Sequence, residues 1–308
     1  MAIAATGVRE RRVAVKRPSR PTLQPLLWIA PALLVLLAIF GYSIVTLFGQ
    51  SMTFQGDWVG LENFGLIFSD PLFTTGLLHN ALLLLAVPVM AFFATLVAVV
   101  LFETKRGLGF FRAVVFMPYI LAVPVVAVVF GQLLQRNGPI NEVLRSVGLG
   151  GIALDWLGDP HVALWTMAGV IMWKEIGFGV VLILARMLTI STEAYEAAKL
   201  DGAGFWRTHW SITLPEIRPI LGFYIVTEAI TMVSWVFNYV YVLTNGQGGP
   251  GDSTVVSELY IYRNAFQYQQ PELAAAAAVI LFLGTMVFVV VFVRMQRRAM
   301  RATARNQL

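Results

Sequence analysis

The chain has 308 residues, 58% hydrophobic and 13% charged, with a mean hydropathy of +0.74 and a net charge of +5. A soluble domain averages about 45–50% apolar and about 25% charged residues, so this composition points to a protein embedded in a bilayer. There is no cysteine, which excludes disulfides, thiol catalysis and cysteine metal sites, and His79, His161 and His209 show no ligand spacing.

In chain order, residues 1–25 form a basic tail carrying Arg9, Arg11, Arg12, Lys16, Arg17 and Arg20. A transmembrane domain is expected over 26–293 and a second basic tail over 294–308. A helix needs about 20 consecutive, mostly apolar residues to cross a bilayer. Six segments qualify: 26–48, 77–102, 113–134, 161–185, 220–243 and 273–293. Helices of a soluble core rarely run this long without a polar face. The first run exceeds the ~7–15-residue apolar core of a secretory signal and is read as an uncleaved anchor. Pro118 and Pro124 predict a kink in the third.

Of the 22 basic residues, 18 fall in the two tails and in the loops after the second and fourth spans. The opposite loops hold only Arg136, Arg145 and Arg263, with Lys174 inside a span. By the positive-inside rule both termini are cytoplasmic, and so is the loop 193–215. The basic residues therefore follow topology, not a nucleic-acid-binding patch.

That loop, EAYEAAKLDGAGFWRTHWSITLP, is charged between two apolar runs. Thr192 is placed to cap a helix whose first turn carries Glu193, where the dipole favours a negative charge. Ala194, Ala197, Ala198 and Asp201 share one face of mostly very small side chains, open to close approach by another surface. Gly202 and Gly204 are expected to end the helix and reverse the chain. Pro215 and Pro219 are expected to stop any extension upstream and set the entry to the fifth span. On pattern alone, a plain linking helix fits as well as a docking knob.

Glu196-Ala197-Ala198, Gly202 and then Ile212, Leu214 and Pro215 resemble the EAA loop of ATP-binding-cassette importer permeases. GLENFGLIFSDPLF with Asn80, FFRAVVFMPYILAVPVV, MWKEIGF and NYVYVLTNGQGGPGDST follow in the order of the binding-protein-dependent sugar permeases, and are similar to the larger, maltose-type subunit. The chain departs from that pattern at Ser191-Thr192, at the inserted TNGQGGP, at Asn238 and at Pro271-Glu272. The resemblance implies an all-α membrane protein of the type I importer fold: six transmembrane helices and a cytoplasmic coupling helix in a bacterial inner membrane. It implies partners too: a second homologous permease, two ATPase subunits that hold ATP and Mg, an external binding protein and a sugar substrate. No cofactor is expected in this chain. The residues implied in coupling are Glu193, Glu196, Ala197, Ala198, Asp201, Gly202, Ile212, Leu214 and Pro215.

Ionisable residues inside a span are costly and usually face a cavity or a partner. Lys174 and Glu175 point about 100° apart on a helix and should pair poorly with each other. Lys174 and Glu228 sit at matched depths of roughly 13–17 Å, so a Lys174–Glu228 pair between antiparallel spans is one expectation, and snorkelling into water or pairing elsewhere is the other. Trp235, Asn238 and Tyr239, with Glu228 deeper, supply the aromatic faces and hydrogen-bonding groups that sugars need, although interfacial aromatics are also common at membrane boundaries. Other classes fit less well. No G-x-x-x-x-G-K-[ST] loop is present, so ATP is expected to be hydrolysed by partners. With no histidine mid-span beside a candidate nucleophile and no H-E-x-x-H, an intramembrane enzyme is not expected either. A self-sufficient secondary transporter would be expected to show paired repeats. Import of a glycerol phosphate or another small polar solute by the same mechanism stays open.

Overall fold

The computed structural model describes residues 24–104 and 107–305. Most of the basic N-terminal tail, Lys105 and Arg106 lie outside the described residues. The chain divides into two units, one ending at Thr46 and one running from Leu47. The described part of the first unit is helical from Gln24, and the first apolar span, Trp28–Ser51, starts in this unit and ends beyond it. It contains a π turn at Leu37–Gly41, where Ser43 bonds back to the Ile39 carbonyl at 2.8 Å.

In the second unit a two-stranded hairpin pairs Thr53 with Trp58 and Phe54 with Asp57. The remaining long apolar helices are Pro71–Glu103, Ala163–Met187, Phe205–Ser234 and Pro271–Met295, with Leu108–Ile120 and Val123–Leu133 as a bent pair. Six expected crossings thus become five long helices and one broken span. The core lies where the second, fourth and fifth spans meet. Met90, Ala94 and Ala98 pack with Ile171, Ile183, Leu184, Tyr224 and Met232. Small residues bring the helices close. A Cβ at Gly177 would collide with the Val115 carbonyl oxygen, and one at Gly179 would enter the Tyr224 ring.

Three expectations need correction. The third span is not one kinked helix but two helices at 93°. Leu121 and Ala122 are extended between them. Pro124 has no N–H for the Ile120 carbonyl, and its ring would clash there, so the helix cannot continue through this point. The fifth span does not start near 220 and run to 243. Helix begins at Phe205, passes through a π turn at His209–Thr213 and continues to Ser234, with Phe237–Leu243 separate. Pro215 and Pro219 therefore do not stop the helix. Pro215 falls in the first turn after the π turn, where the shifted register accommodates a residue without an N–H. Finally, Ser191, not Thr192, occupies the N-cap position, and no side-chain capping bond is made.

The break in the fifth span is held by a buried polar knot. Asn80, on the second span, donates to the carbonyls of Met232 (3.1 Å) and Val233 (3.4 Å) and to Glu258 (3.3 Å). Its own carbonyl oxygen accepts from Ser257 N at 2.9 Å, the start of the short helix Ser257–Tyr262. The Glu258 carboxylate accepts from Val236 N at 3.2 Å. These two side chains take up backbone groups that the broken helix leaves unpaired, as an apolar environment requires.

Candidate functional site

A cavity of about 560 Å³ opens beside the break in the third span. Phe116, Tyr119, Ile120 and Val123 come from the two sides of that break. Lys174 and Glu175 come from the fourth span, and Thr231, Trp235, Asn238 and Tyr239 from the end of the fifth. The broken backbone positions the charges. The Tyr119 carbonyl lies in the last turn of Leu108–Ile120, where chain continuation no longer supplies donors. Lys174 Nζ donates to it at 3.1 Å and lies 5.1 Å from the centre of the Tyr119 ring. That ring stacks on Phe178 at 5.0 Å.

The same Lys174 Nζ reaches Glu175 Oε1 at 3.3 Å, and Tyr239 donates its phenol to that oxygen at 2.9 Å. Lys174 is only 4% and Glu175 8% exposed. The result is a compact chain of Tyr119 carbonyl, ammonium, carboxylate and phenol along one wall. Trp235, 66% exposed, and Asn238, also exposed, offer an aromatic face and an amide to the open space. The cavity can therefore combine ring stacking with charged and neutral hydrogen bonds.

Five of the six expected pathway residues come together here: Lys174, Glu175, Trp235, Asn238 and Tyr239. Glu228 does not. It is 1% exposed and its Oε2 makes no hydrogen bond. The expected Lys174–Glu228 pair is not formed; Lys174 pairs with its neighbour Glu175. The 100° separation is overcome because the long lysine side chain bends towards the Tyr119 carbonyl while Tyr239 draws the carboxylate the same way. Tyr119 was missed in sequence because its contribution is a backbone carbonyl, visible only once the break is located.

The second candidate region is 193–215. Thr192–Leu200 is helical, with Glu193 in its first turn and Lys199 in its last. At its end Gly202 adopts a φ of +70°. Gly202 N donates to the Lys199 carbonyl at 3.1 Å and Ala203 N to the Ala198 carbonyl at 2.9 Å, a glycine-terminated reversal that a Cβ would strain. Glu193, Glu196, Ala197, Asp201 and Gly202 are exposed, as are Leu200 at 89% and Trp206 at 72%. Ala198 is partly covered, Ile212 and Leu214 are half-buried, and Pro215 is exposed. An apolar side chain as large as Leu200, left this bare at a helix end, is a feature that interacting surfaces use.

Sequence reading missed the anchors beneath this helix. Tyr195 is buried and bonds Thr213 at 3.0 Å, and burial pushes its phenol up. Its ring lies 5.3 Å from that of Phe102. Arg186, at the end of the fourth span, bonds Glu216 through both the backbone carbonyl (3.0 Å) and the carboxylate (2.7 Å). Among the described residues no cluster of three or more His, Asp or Glu could hold a metal ion.

A family model described as the binding-protein-dependent transport system inner membrane component matches residues 81–302. The lactose transport system permease protein LacF of Rhizobium radiobacter is 30% identical over 274 residues, covering 87% of this chain and 91% of the relative. The diacetylchitobiose uptake system permease protein NgcF of Streptomyces coelicolor is 34% identical over 275 residues, covering 82% and 77%. Among solved structures, a bacterial alginate ABC transporter in complex with an alginate pentasaccharide-bound periplasmic protein matches with a TM-score of 0.79. That match is 24% identical and covers 90% of this chain and 95% of the other.

Proposed function

Because the chain belongs to the family of binding-protein-dependent transport system inner membrane components, a family of multi-pass permease subunits and not of enzymes, we propose that it forms half of the translocation pathway of an ATP-driven carbohydrate importer. The other half is a second, similar permease. Two ATPase subunits bind ATP and Mg, and an external binding protein delivers the sugar. The basic tails and the 193–215 loop face the cytoplasm, since 18 of the 22 basic residues lie on that side.

The observation that carries the carbohydrate reading is the cavity at the broken third span. Trp235, Tyr119 and Phe116 give faces for sugar rings, while Lys174, Glu175, Asn238 and Tyr239 give donors and acceptors for hydroxyls. Binding sites for polar solutes combine an apolar wall with a few placed polar groups in this way. The two relatives are named for lactose and diacetylchitobiose, which agrees with a saccharide at this wall. The 193–215 segment works at the other end. Glu193, Glu196, Ala197, Ala198, Asp201 and Gly202 dock in a cleft of an ATPase subunit, and Ile212, Leu214 and Pro215 pass its movement into the fifth span.

The test is uptake by the assembled complex in proteoliposomes, with ATP enclosed and radiolabelled lactose, diacetylchitobiose and a longer oligosaccharide as probes. At least one saccharide should accumulate only with ATP. Trp235→Ala and Asn238→Ala should each lower that uptake about tenfold, equivalent to about 1.4 kcal/mol, without loss of assembly. Accumulation of a glycerol phosphate but of no saccharide, or uptake without ATP, would contradict the reading.

A further inference from the structure

The fourth span reaches the 193–215 segment by direct chain continuity, and the fifth span grows out of it. The second span has no such connection, yet its last residues touch the segment. Glu103 is the final residue of the helix Ala86–Glu103. Its Oε1 lies 3.3 Å from His209 Nε2. The other ring nitrogen, Nδ1, lies 2.9 Å from Thr213 Oγ1, and Thr213 Oγ1 lies 3.0 Å from the Tyr195 hydroxyl. His209, Thr213 and Tyr195 are all buried, while Glu103 is half exposed.

A neutral histidine gives this chain one complete order of donors. Tyr195 donates to Thr213, Thr213 donates to His209 Nδ1, and His209 Nε2–H donates to Glu103. Each hydroxyl and ring nitrogen is then used, with no proton in conflict. Neighbouring contacts reinforce both ends: Phe102 meets Tyr195, and Phe205 meets the His209 ring at 4.5 Å between centroids. Four side chains from three elements thus join the helix Thr192–Leu200, the π turn His209–Thr213 and the end of the second span.

We propose that Glu103, His209, Thr213 and Tyr195 are positioning residues that tie the second span to the coupling segment, so that movement imposed on 193–215 is delivered to the second span as well as to the fifth. The proposal rests on the reading of that segment as the part that takes up the ATPase movement. The second span in turn carries Asn80, which holds the break of the fifth span at the opposite end. The second span, two helices joined at Leu84–Leu85, thereby runs from the segment to the break of the fifth span. Because Glu103 is half exposed, the link matters as geometry and not as a large stabilising energy.

The absence of cysteine lets paired labels be placed in this chain without background from its own residues, in complexes assembled with cysteine-free partner subunits. In the assembled complex, in lipid nanodiscs, one spin label is placed at Asp57→Cys in the exposed hairpin as the reference. A second is placed at Thr192→Cys or at Thr104→Cys, and distances are compared without nucleotide and with ATP plus vanadate. Both distances should change in the parent. In Glu103→Ala and in His209→Ala the Thr192 distance should still change, while the Thr104 change is lost. The exchange Glu103→His with His209→Glu should restore it. A Thr192 distance that never changes would sink the coupling reading itself. A Thr192 change without a Thr104 change in the parent, or a Thr104 change unaffected by either variant, would overturn the link and leave that reading standing. Failure of both single variants to assemble, with the exchange failing too, would make these residues structural and would also overturn the link.

Discussion

Lys174 shows how a single side chain can serve backbone, charge and cavity together. Its ammonium contacts the Tyr119 carbonyl, the Tyr119 ring and the Glu175 carboxylate. Replacing it with an apolar chain leaves a buried acid without its counter-charge, which typically costs about 3–5 kcal/mol. Lys174→Met should therefore lower the melting temperature of the purified complex markedly. Lys174→Met with Glu175→Gln should recover most of the loss, because the acid no longer needs compensation. Equal melting temperatures for the single and double variants would show that the pair does not act as a unit. From sequence, Lys174 and Glu175 stand out as charges in an apolar run, but their partners do not. Matched depth on straight helices points to Glu228, whereas the break at Leu121 and Ala122 frees a carbonyl that no sequence pattern marks.

At the scale of elements, the broken helices define the site, and each break has its own polar support. For the fifth span that support is Asn80 with Glu258. Burial pushes the Glu258 carboxyl up to about 7, against the pull of the hydrogen bonds from Asn80 and from the backbone of Val236 and Phe237. The folded value lies above the ordinary one near 4.5, so the fold favours the protonated acid. The stability this gives is fully present below the ordinary value and is lost as pH rises through about 7. Melting of the complex should fall between pH 5 and pH 8 by more than it does in Glu258→Gln, which cannot ionise. Parallel pH curves for the two proteins would exclude Glu258 as the source. The apolar runs in sequence reveal six crossings, and Pro118 and Pro124 mark a disturbance in the third. They do not reveal a 93° turn, because proline fixes where a helix must stop and packing against Lys174 and Phe178 fixes where the chain goes next. The fifth span misleads in the opposite sense: Pro215 and Pro219 look like stops, but the π turn at His209–Thr213 lets the helix run through.

Over the whole molecule, the fourth span carries a cavity wall at its middle, through Lys174 and Glu175, and leads at its end into an exposed charged segment. The fourth span links them directly, with Glu175 at the cavity wall and Arg186 bonded to Glu216 at the segment. The motif in 193–215 is legible in sequence because its charged and small residues, glycines and proline stand at recognisable spacing between two apolar runs. The buried anchors Tyr195, His209 and Thr213 are not, since a tyrosine, a histidine and a threonine among apolar neighbours carry no periodic signal. The central claim is that this chain works through partners that hydrolyse ATP, engaged by 193–215. The most direct measurement is recovery of the tagged chain in mild detergent with mass spectrometry of what accompanies it. The account predicts an ATPase and a second permease, with the ATPase lost from Glu196→Arg and Gly202→Trp variants while the second permease stays. Recovery of this chain alone, still transporting in vesicles without ATP, would contradict it.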